Sequence, residues 1–265
     1  MKFVVWILLA SIAPASFAAE TAEQRGKRVI HEALQALGGD AFLRMQDRVE
    51  TGRAYSFYRQ ELSGLSLAKV YTRYLTPSGK PGEIAVRERE AFGKDGSSAV
   101  LLTESGGWEI TFRGARPLDD VRYSNYKDST LRNIFYILRQ RLNEPGLTLY
   151  SQGSDFYENR PVEIVDITDS ANNTVTVYFD QLNKLPVRQV FKRRNEQFKD
   201  FDTEVTIFAK YRDVGGGVKW PYDIRRERNG EKIYEMFSDS VEINQDLTDD
   251  LFSLPGSIKM LPKQN

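Results

Sequence analysis

The residues with the plainest capacity for chemistry are carboxylates. Glu88 and Glu90 stand two apart in an alternating stretch, so both fall on one face of a strand, and Asp119-Asp120 and Asp249-Asp250 are adjacent pairs. Paired carboxylates held roughly 5–10 Å apart can hydrolyse glycosides. Charged side chains are mostly exposed, however, and these pairs read as solvated strand faces and helix termini. Gly215-Gly216-Gly217 could cradle an anion, but it lacks the lysine and hydroxyl of a phosphate loop and reads as a hairpin turn. The basic runs Lys192-Arg193-Arg194 and Arg225-Arg226 with Arg228 offer cations to a lipid headgroup or a nucleic acid; Glu196 and Glu227 interleave with them, which favours a solvated outer face. The chain has one histidine, His31, and no cysteine. Disulfide scaffolds, iron–sulfur clusters, thiol nucleophiles and nearly all Cys/His zinc sites are thereby excluded. We expect no catalytic residue, no metal and no cofactor, and hence a protein that binds rather than catalyses.

The overall charge points the same way. The 37 basic and 37 acidic residues balance, so no net field draws the chain to nucleic acid or to an anionic membrane. Of the 265 residues 40% are hydrophobic and 12% aromatic, enough for a sizeable core. Trp108, Phe112, Phe179, Trp220 and Tyr222 recur at inward positions of alternating stretches. They either line a cavity or fill the core.

Stepping along the chain, residues 21–46 read as helix, with Val29, Ala33, Leu34 and Leu37 at helical spacing. Gly38-Gly39 interrupts it, and Asp40 can cap a second short turn. From Val49 the period changes to two, as in Val70-Thr72-Tyr74 and Trp108-Ile110-Phe112, with turns at Pro77-Ser78-Gly79, Lys94-Asp95-Gly96 and Gly106-Gly107. One break follows: Leu131, Ile134, Phe135, Leu138 and Leu142 form the apolar face of a helix from about Asp128 to Asn143, ended by Pro145-Gly146. Its other face, with Asn133, Tyr136, Arg139, Gln140 and Arg141, is polar. Strands then resume to Ile243, with Asn229-Gly230 as a strong hairpin signal. Ten or eleven antiparallel strands and few helices predict a mainly β (α+β) fold, a single curved sheet forming a half-open barrel. The pattern leaves open whether the curl is filled or encloses a cavity.

At the amino terminus, Lys2 precedes an apolar run from Phe3 to Ile12 and small residues at Ser16 and Ala18. This predicts a signal peptide over 1–18, cleaved near Ala18, and a soluble exported product over 19–265. The run is too short to span a bilayer. Without cysteine, stability must come from packing alone.

The run Ala36-Leu37-Gly38-Gly39-Asp40-Ala41-Phe42-Leu43 with Val49 and Gly52 resembles the opening of outer-membrane lipoprotein-sorting proteins, the LolA-like group. So do Gly107-Trp108, Phe179-Asp180 with Leu185-Pro186-Val187, Gly217-Val218-Lys219-Trp220-Pro221 and Leu251-Phe252-Ser253-Leu254-Pro255, in that order over nearly the whole mature chain. The resemblance implies an unclosed barrel of about eleven strands under a helical lid. It implies a monomeric periplasmic carrier or sensor of lipoprotein or lipid acyl chains, working with an inner-membrane transporter and an outer-membrane acceptor. The five aromatic residues above would line the cavity, and Leu131, Ile134, Phe135, Leu138 and Leu142 would form the lid. Such a lid is locked by an arginine, for which Arg53, Arg59 and Arg73 are candidates on early strands. An exported carboxylate hydrolase and a regulatory module for a hydrophobic peptide are the alternatives.

Overall fold

The computed structural model describes residues 19–195 and 197–263; the predicted signal peptide lies outside the described residues. Helix α1 (Ala22–Ala36) starts at Thr21, whose hydroxyl accepts the Gln24 N–H at 3.2 Å while the Gln24 side chain accepts the Thr21 N–H at 2.9 Å. Its buried face carries Val29, Ile30 and Ala33. Gly26 lets it approach very closely, since a Cβ there would stand 2.6 Å from the Leu149 carbonyl oxygen. Gly38 and Gly39, both at positive φ, turn the chain into α2 (Asp40–Arg44). Gly39 occupies the cap position, so Asp40 opens this turn rather than capping it.

Among the described residues thirteen strands follow, two more than the expected eleven, in one antiparallel sheet. The first six are β1 (Asp47–Tyr58), β2 (Glu61–Tyr74), β3 (Val86–Phe92), β4 (Ser98–Thr103), β5 (Gly106–Thr111) and the four-residue β6 (Gly114–Pro117). They step outward from the middle of the sheet to one edge. The chain crosses to the opposite edge and returns as β7 (Thr148–Tyr157), β8 (Arg160–Thr168), β9 (Thr174–Asp180), β10 (Pro186–Asn195), β11 (Asp200–Asp213), β12 (Lys219–Arg228) and β13 (Glu231–Ile243), which pairs with β1. Bulges at Thr51/Gly52, Ser151/Gly153, Pro186/Arg188 and Arg226/Glu227 add local twist and bend, leaving the sheet curved and half-open. At the first bulge only glycine fits, because a Cβ on Gly52 would meet the Phe237 carbonyl oxygen at 2.1 Å.

The crossing segment must pass over the inner face, and it is broken where the sequence predicts one helix from about Asp128 to Asn143. Helix α3 (Asp120–Leu131) ends at the first residue of the predicted apolar stripe. Asn133 then caps a new turn, its side-chain oxygen accepting the N–H groups of Phe135 and Tyr136. This turn, α4 (Ile134–Tyr136), widens into a π-helix over Ile137–Arg141. Ile134, Phe135 and Leu138 are all at most 5% exposed and sit in the main core with Leu37, Phe42, Val177, Phe208 and Trp220. Leu142 packs half-buried against the same core, and Leu131 against Ile84, Val86 and Tyr136. The polar face is covered too. The Tyr136 hydroxyl accepts the Ala85 N–H at 2.7 Å, Gln140 donates to the carbonyls of Leu75 and Ala85, and Arg139 donates to those of Phe42 and Leu43. A segment bonded on both faces packs as a plug of the core. No helix among the described residues is long and apolar enough to cross a membrane.

Candidate functional site

Beside this plug, under α3, lies a cavity of about 430 Å³ on the inner face of the sheet. Strand register decides what faces it. Arg48, Thr72 and Glu88 lie in one row across β1, β2 and β3, and Glu50, Val70 and Glu90 in the next. On the other wall Gln189, Thr206, Arg226 and Tyr234 form a row across β10 to β13. Apolar groups complete the lining: Val86, Phe135, Phe191, Phe208, Trp220, Ile224 and Met236. The wall is thus a mosaic of apolar and charged side chains.

The charged groups are organised. Arg48 and Glu50 form a buried ion pair, and Glu50 also accepts from the Ser238 hydroxyl. Arg48 donates to the Thr72 hydroxyl at 2.9 Å, which in turn donates to Glu88 at 3.3 Å. The Arg48 guanidinium stacks 4.1 Å above the Trp220 ring, and Trp220 stacks on Phe135 at 4.7 Å between centroids. Burial is the largest influence on Arg48 and would lower its pKa; the combined attraction of Glu50, Tyr74 and Glu88 outweighs it and the net shift is upward. Glu90 is pushed up to about 8, first by burial and then by Glu88, with Arg226 opposing. It is therefore mostly a neutral acid at pH 7, while burial holds the Tyr126 and Tyr234 phenols above their usual range.

Helix α3 roofs the cavity with Arg122, Asn125, Tyr126, Ser129 and Thr130, and none of its residues is buried. Its hold on the barrel is largely polar. Arg193 on β10 donates to the Asn125 carbonyl (2.9 Å), the Asn125 side chain (2.7 Å) and the Ser129 hydroxyl (2.6 Å). Arg122 pairs with Glu109 at 2.6 Å, and the Tyr123 hydroxyl donates to the Thr103 carbonyl at 2.8 Å. Arg193 is thus the arginine that ties the helix down. The early-strand candidates do other things: Arg53 pairs with Asp239, Arg59 lies over Tyr58 at a hairpin turn, and Arg73 pairs with Asp249. Within the basic run Lys192-Arg193-Arg194 the pleat turns Arg193 inward and its two neighbours outward.

Of the five aromatic residues expected at the cavity, Trp220 lines it. Phe179 and Tyr222 are buried in the main core outside the lining, and Trp108 packs in a second cluster with Leu101, Ile110 and Phe252. Phe112 is 87% exposed: the chain reverses directly after Thr111, which puts it at a hairpin tip instead of on a strand face. From the expected lid set, Phe135 reaches the cavity wall. Asp119 caps α3, Asp120 pairs with Lys263, Asp249 takes Arg73 and Arg87, and Gly215–Gly217 lies in the β11–β12 turn. Glu88 and Glu90 depart from the solvated reading, because their face of β3 points into the cavity. Arg48, Glu50 and Arg193 were missed as inward groups; their one sequence signal is that Arg48 and Glu50 repeat the two-residue spacing of Glu88 and Glu90.

No family model matches the sequence, and no curated protein matches it either. Solved structures do match. A DUF1329 family protein from Desulfovibrio piger superposes with a TM-score of 0.60 at 13% identity, over 88% of this chain and 98% of that one. A domain described as an outer membrane lipoprotein-sorting protein domain, from Vibrio parahaemolyticus, gives 0.57 at 11% identity, over 86% and 97%. A LolA superfamily protein from Nitrosomonas europaea gives 0.52 at 11% identity, also over 86% and 97%. With its thirteen-stranded, half-open sheet and a helical crossing on the inner face, the chain has the fold of the LolA-like lipoprotein-sorting proteins.

Proposed function

We propose that the chain is a non-catalytic periplasmic carrier or sensor, which takes the acyl part of a lipid or lipoprotein into the cavity beneath α3. The observation that carries this reading is the roof. The cavity lies in the size range of small-ligand sites, and the helix over it has no buried residue and is tied by exchangeable hydrogen bonds. Opening it leaves the core intact. A carrier suits such a cargo: each exposed methylene costs about 0.8 kcal/mol, so a long acyl chain costs on the order of 10 kcal/mol in water. Fold likeness to a lipoprotein-sorting domain supports the same reading, as does the wall of Val86, Phe135, Phe208, Ile224 and Met236. In this role the protein would load from an inner-membrane transporter and unload to an outer-membrane acceptor.

Glu88 and Glu90 are the observation that favours a hydrolase, and their geometry counts against it. The two carboxyl groups stand side by side on one face of β3, where Glu88 raises the pKa of Glu90, and Glu88 is already engaged by the Thr72 hydroxyl at 3.3 Å. Glycosidases hold theirs roughly 5–10 Å apart with the substrate between them. The test is titration of the purified mature protein with a fluorescent acyl probe, followed by displacement with lipids, an acylated peptide and an unacylated hydrophobic peptide. Saturable uptake displaced by the acylated compounds is expected. Failure of every acyl compound to bind, or displacement by the unacylated peptide alone, would overturn the reading.

A further inference from the structure

Three residues of the cavity lining hold a buried N–H with no hydrogen-bond acceptor: Arg193, whose Nε has the Glu204 carboxylate beside it at 3.5 Å, and Arg48 and Trp220, which have no such neighbour. Arg48 and Trp220 are 7% and 4% exposed, and both line the cavity. The Arg48 Nη atoms are taken by Glu50 and Thr72, but its Nε has no partner, nor has the Trp220 Nε1. Buried donors are nearly always satisfied, and one left unmet is destabilising. The two residues are stacked on each other, so both free donors belong to one small region at the deep end of the cavity, while Arg226 and Arg228 mark its exposed end.

Charge points to the same kind of ligand. Arg48 is neutralised by Glu50; Arg193 and Arg228 share the single carboxylate of Glu204. Arg122 is matched by Glu109 outside the lining. Glu88 remains to balance Arg226, with the Glu90 carboxyl beside it. With one carboxyl of the Glu88–Glu90 pair protonated, the lining carries one positive charge in excess.

We infer that the deep end of the cavity is an oxyanion subsite, in which the Arg48 Nε and the Trp220 Nε1 donate to the anionic head of an amphiphile, a carboxylate or a phosphate, bound head inward. This deepens the carrier reading and rests on it. An acyl chain alone would leave both donors unmet.

The test displaces a fluorescent acyl probe with four amphiphiles sharing a hexadecyl-length chain: hexadecanoate, hexadecyl phosphate, hexadecanol and hexadecyltrimethylammonium. At least one of the anions should bind roughly ten-fold or more tighter than the alcohol and the ammonium, as expected of a charge-assisted hydrogen bond in a buried site. Which anion leads separates a fatty-acid head from a phosphate head. Trp220→Phe keeps the ring against Phe135 and removes only the N–H; it should reduce that preference several-fold and leave hexadecanol unchanged. Arg48→Met should do the same, but it strands Glu50, so the tryptophan variant decides if the arginine variant melts early. In the wild type the indole N–H resonance should move downfield with the favoured anion and stay in place with the alcohol. Equal binding of all four, or an undiminished preference in Trp220→Phe, overturns the subsite and leaves the carrier reading standing. Failure of all four to displace the probe overturns both.

Discussion

Glu90 shows how a single side chain can tie stability to pH. Its carboxyl is faced by Glu88 on the same strand, Arg226 on β12, Tyr234 on β13 and Tyr126 on α3, with Glu50 two strands away. Burial and Glu88 push its pKa up to about 8, far above that of a free glutamate. Between roughly pH 4.5 and 8 the native state therefore holds a proton that the unfolded chain has lost. Stability from this group is full below that window, falls as pH rises through it, and levels off above it. Thermal melts of the wild type and Glu90→Gln at pH 4.5, 6.5 and 8.5 should diverge with rising pH. The variant should gain several degrees at pH 8.5 and little at pH 4.5. Parallel curves would remove Glu90 as the cause. Arg193 concentrates a different duty in one side chain, since its three donated bonds all end on α3.

At the scale of elements, the crossing segment divides into two parts with opposite duties. Helix α3 has no fully buried residue, packs the half-buried Tyr126 and Leu131 against Ile84, Val86 and Tyr136, and is held by Arg193, Arg122 and Tyr123. The stretch from Ile134 to Arg141 is bonded on every side. Arg193→Met should release a bound acyl probe several-fold faster in stopped-flow measurements while lowering stability by about 1–2 kcal/mol at most. Phe135→Ala removes a ring packed on Phe208 and Trp220 and should cost about 3–5 kcal/mol in urea unfolding. An unchanged release rate in the first variant would mean that α3 is not the moving part. The helical period of Leu131, Ile134, Phe135, Leu138 and Leu142 was legible, and so was a polar opposite face. Its meaning was not. A polar stripe normally faces water, but here Tyr136, Arg139 and Gln140 meet backbone groups of the α2 and β2–β3 connections, which sequence spacing does not reveal.

At the scale of the molecule, topology explains why one segment must roof the cavity. The first six strands end at one edge of the sheet and the last seven begin at the other, so the link between β6 and β7 has to cross the curved inner face. The β6 edge is itself covered, because Ala115 pairs with the terminal segment through Lys259 and Leu261. Hydrogen exchange should accordingly find α3 amides opening far faster than those of β1, β12 and β13, and a bound amphiphile should slow α3 selectively. Uniform protection across α3 and the central strands would contradict a mobile roof. The amino-acid sequence by itself determined the mainly β class, the antiparallel alternation, the hairpin turns and the half-open curl, since these follow from local period, turn chemistry and strand number. It also carried enough of the LolA-like pattern to point to the fold. Only the tertiary structure decided which face of each strand is the inside. Arg48, Glu50, Glu88, Glu90 and Arg193 carry charges that local alternation assigns to solvent. Their burial depends on register across strands as distant in sequence as β1 and β13, on bulges such as Thr51/Gly52, and on partners that neutralise them only once the sheet has curled.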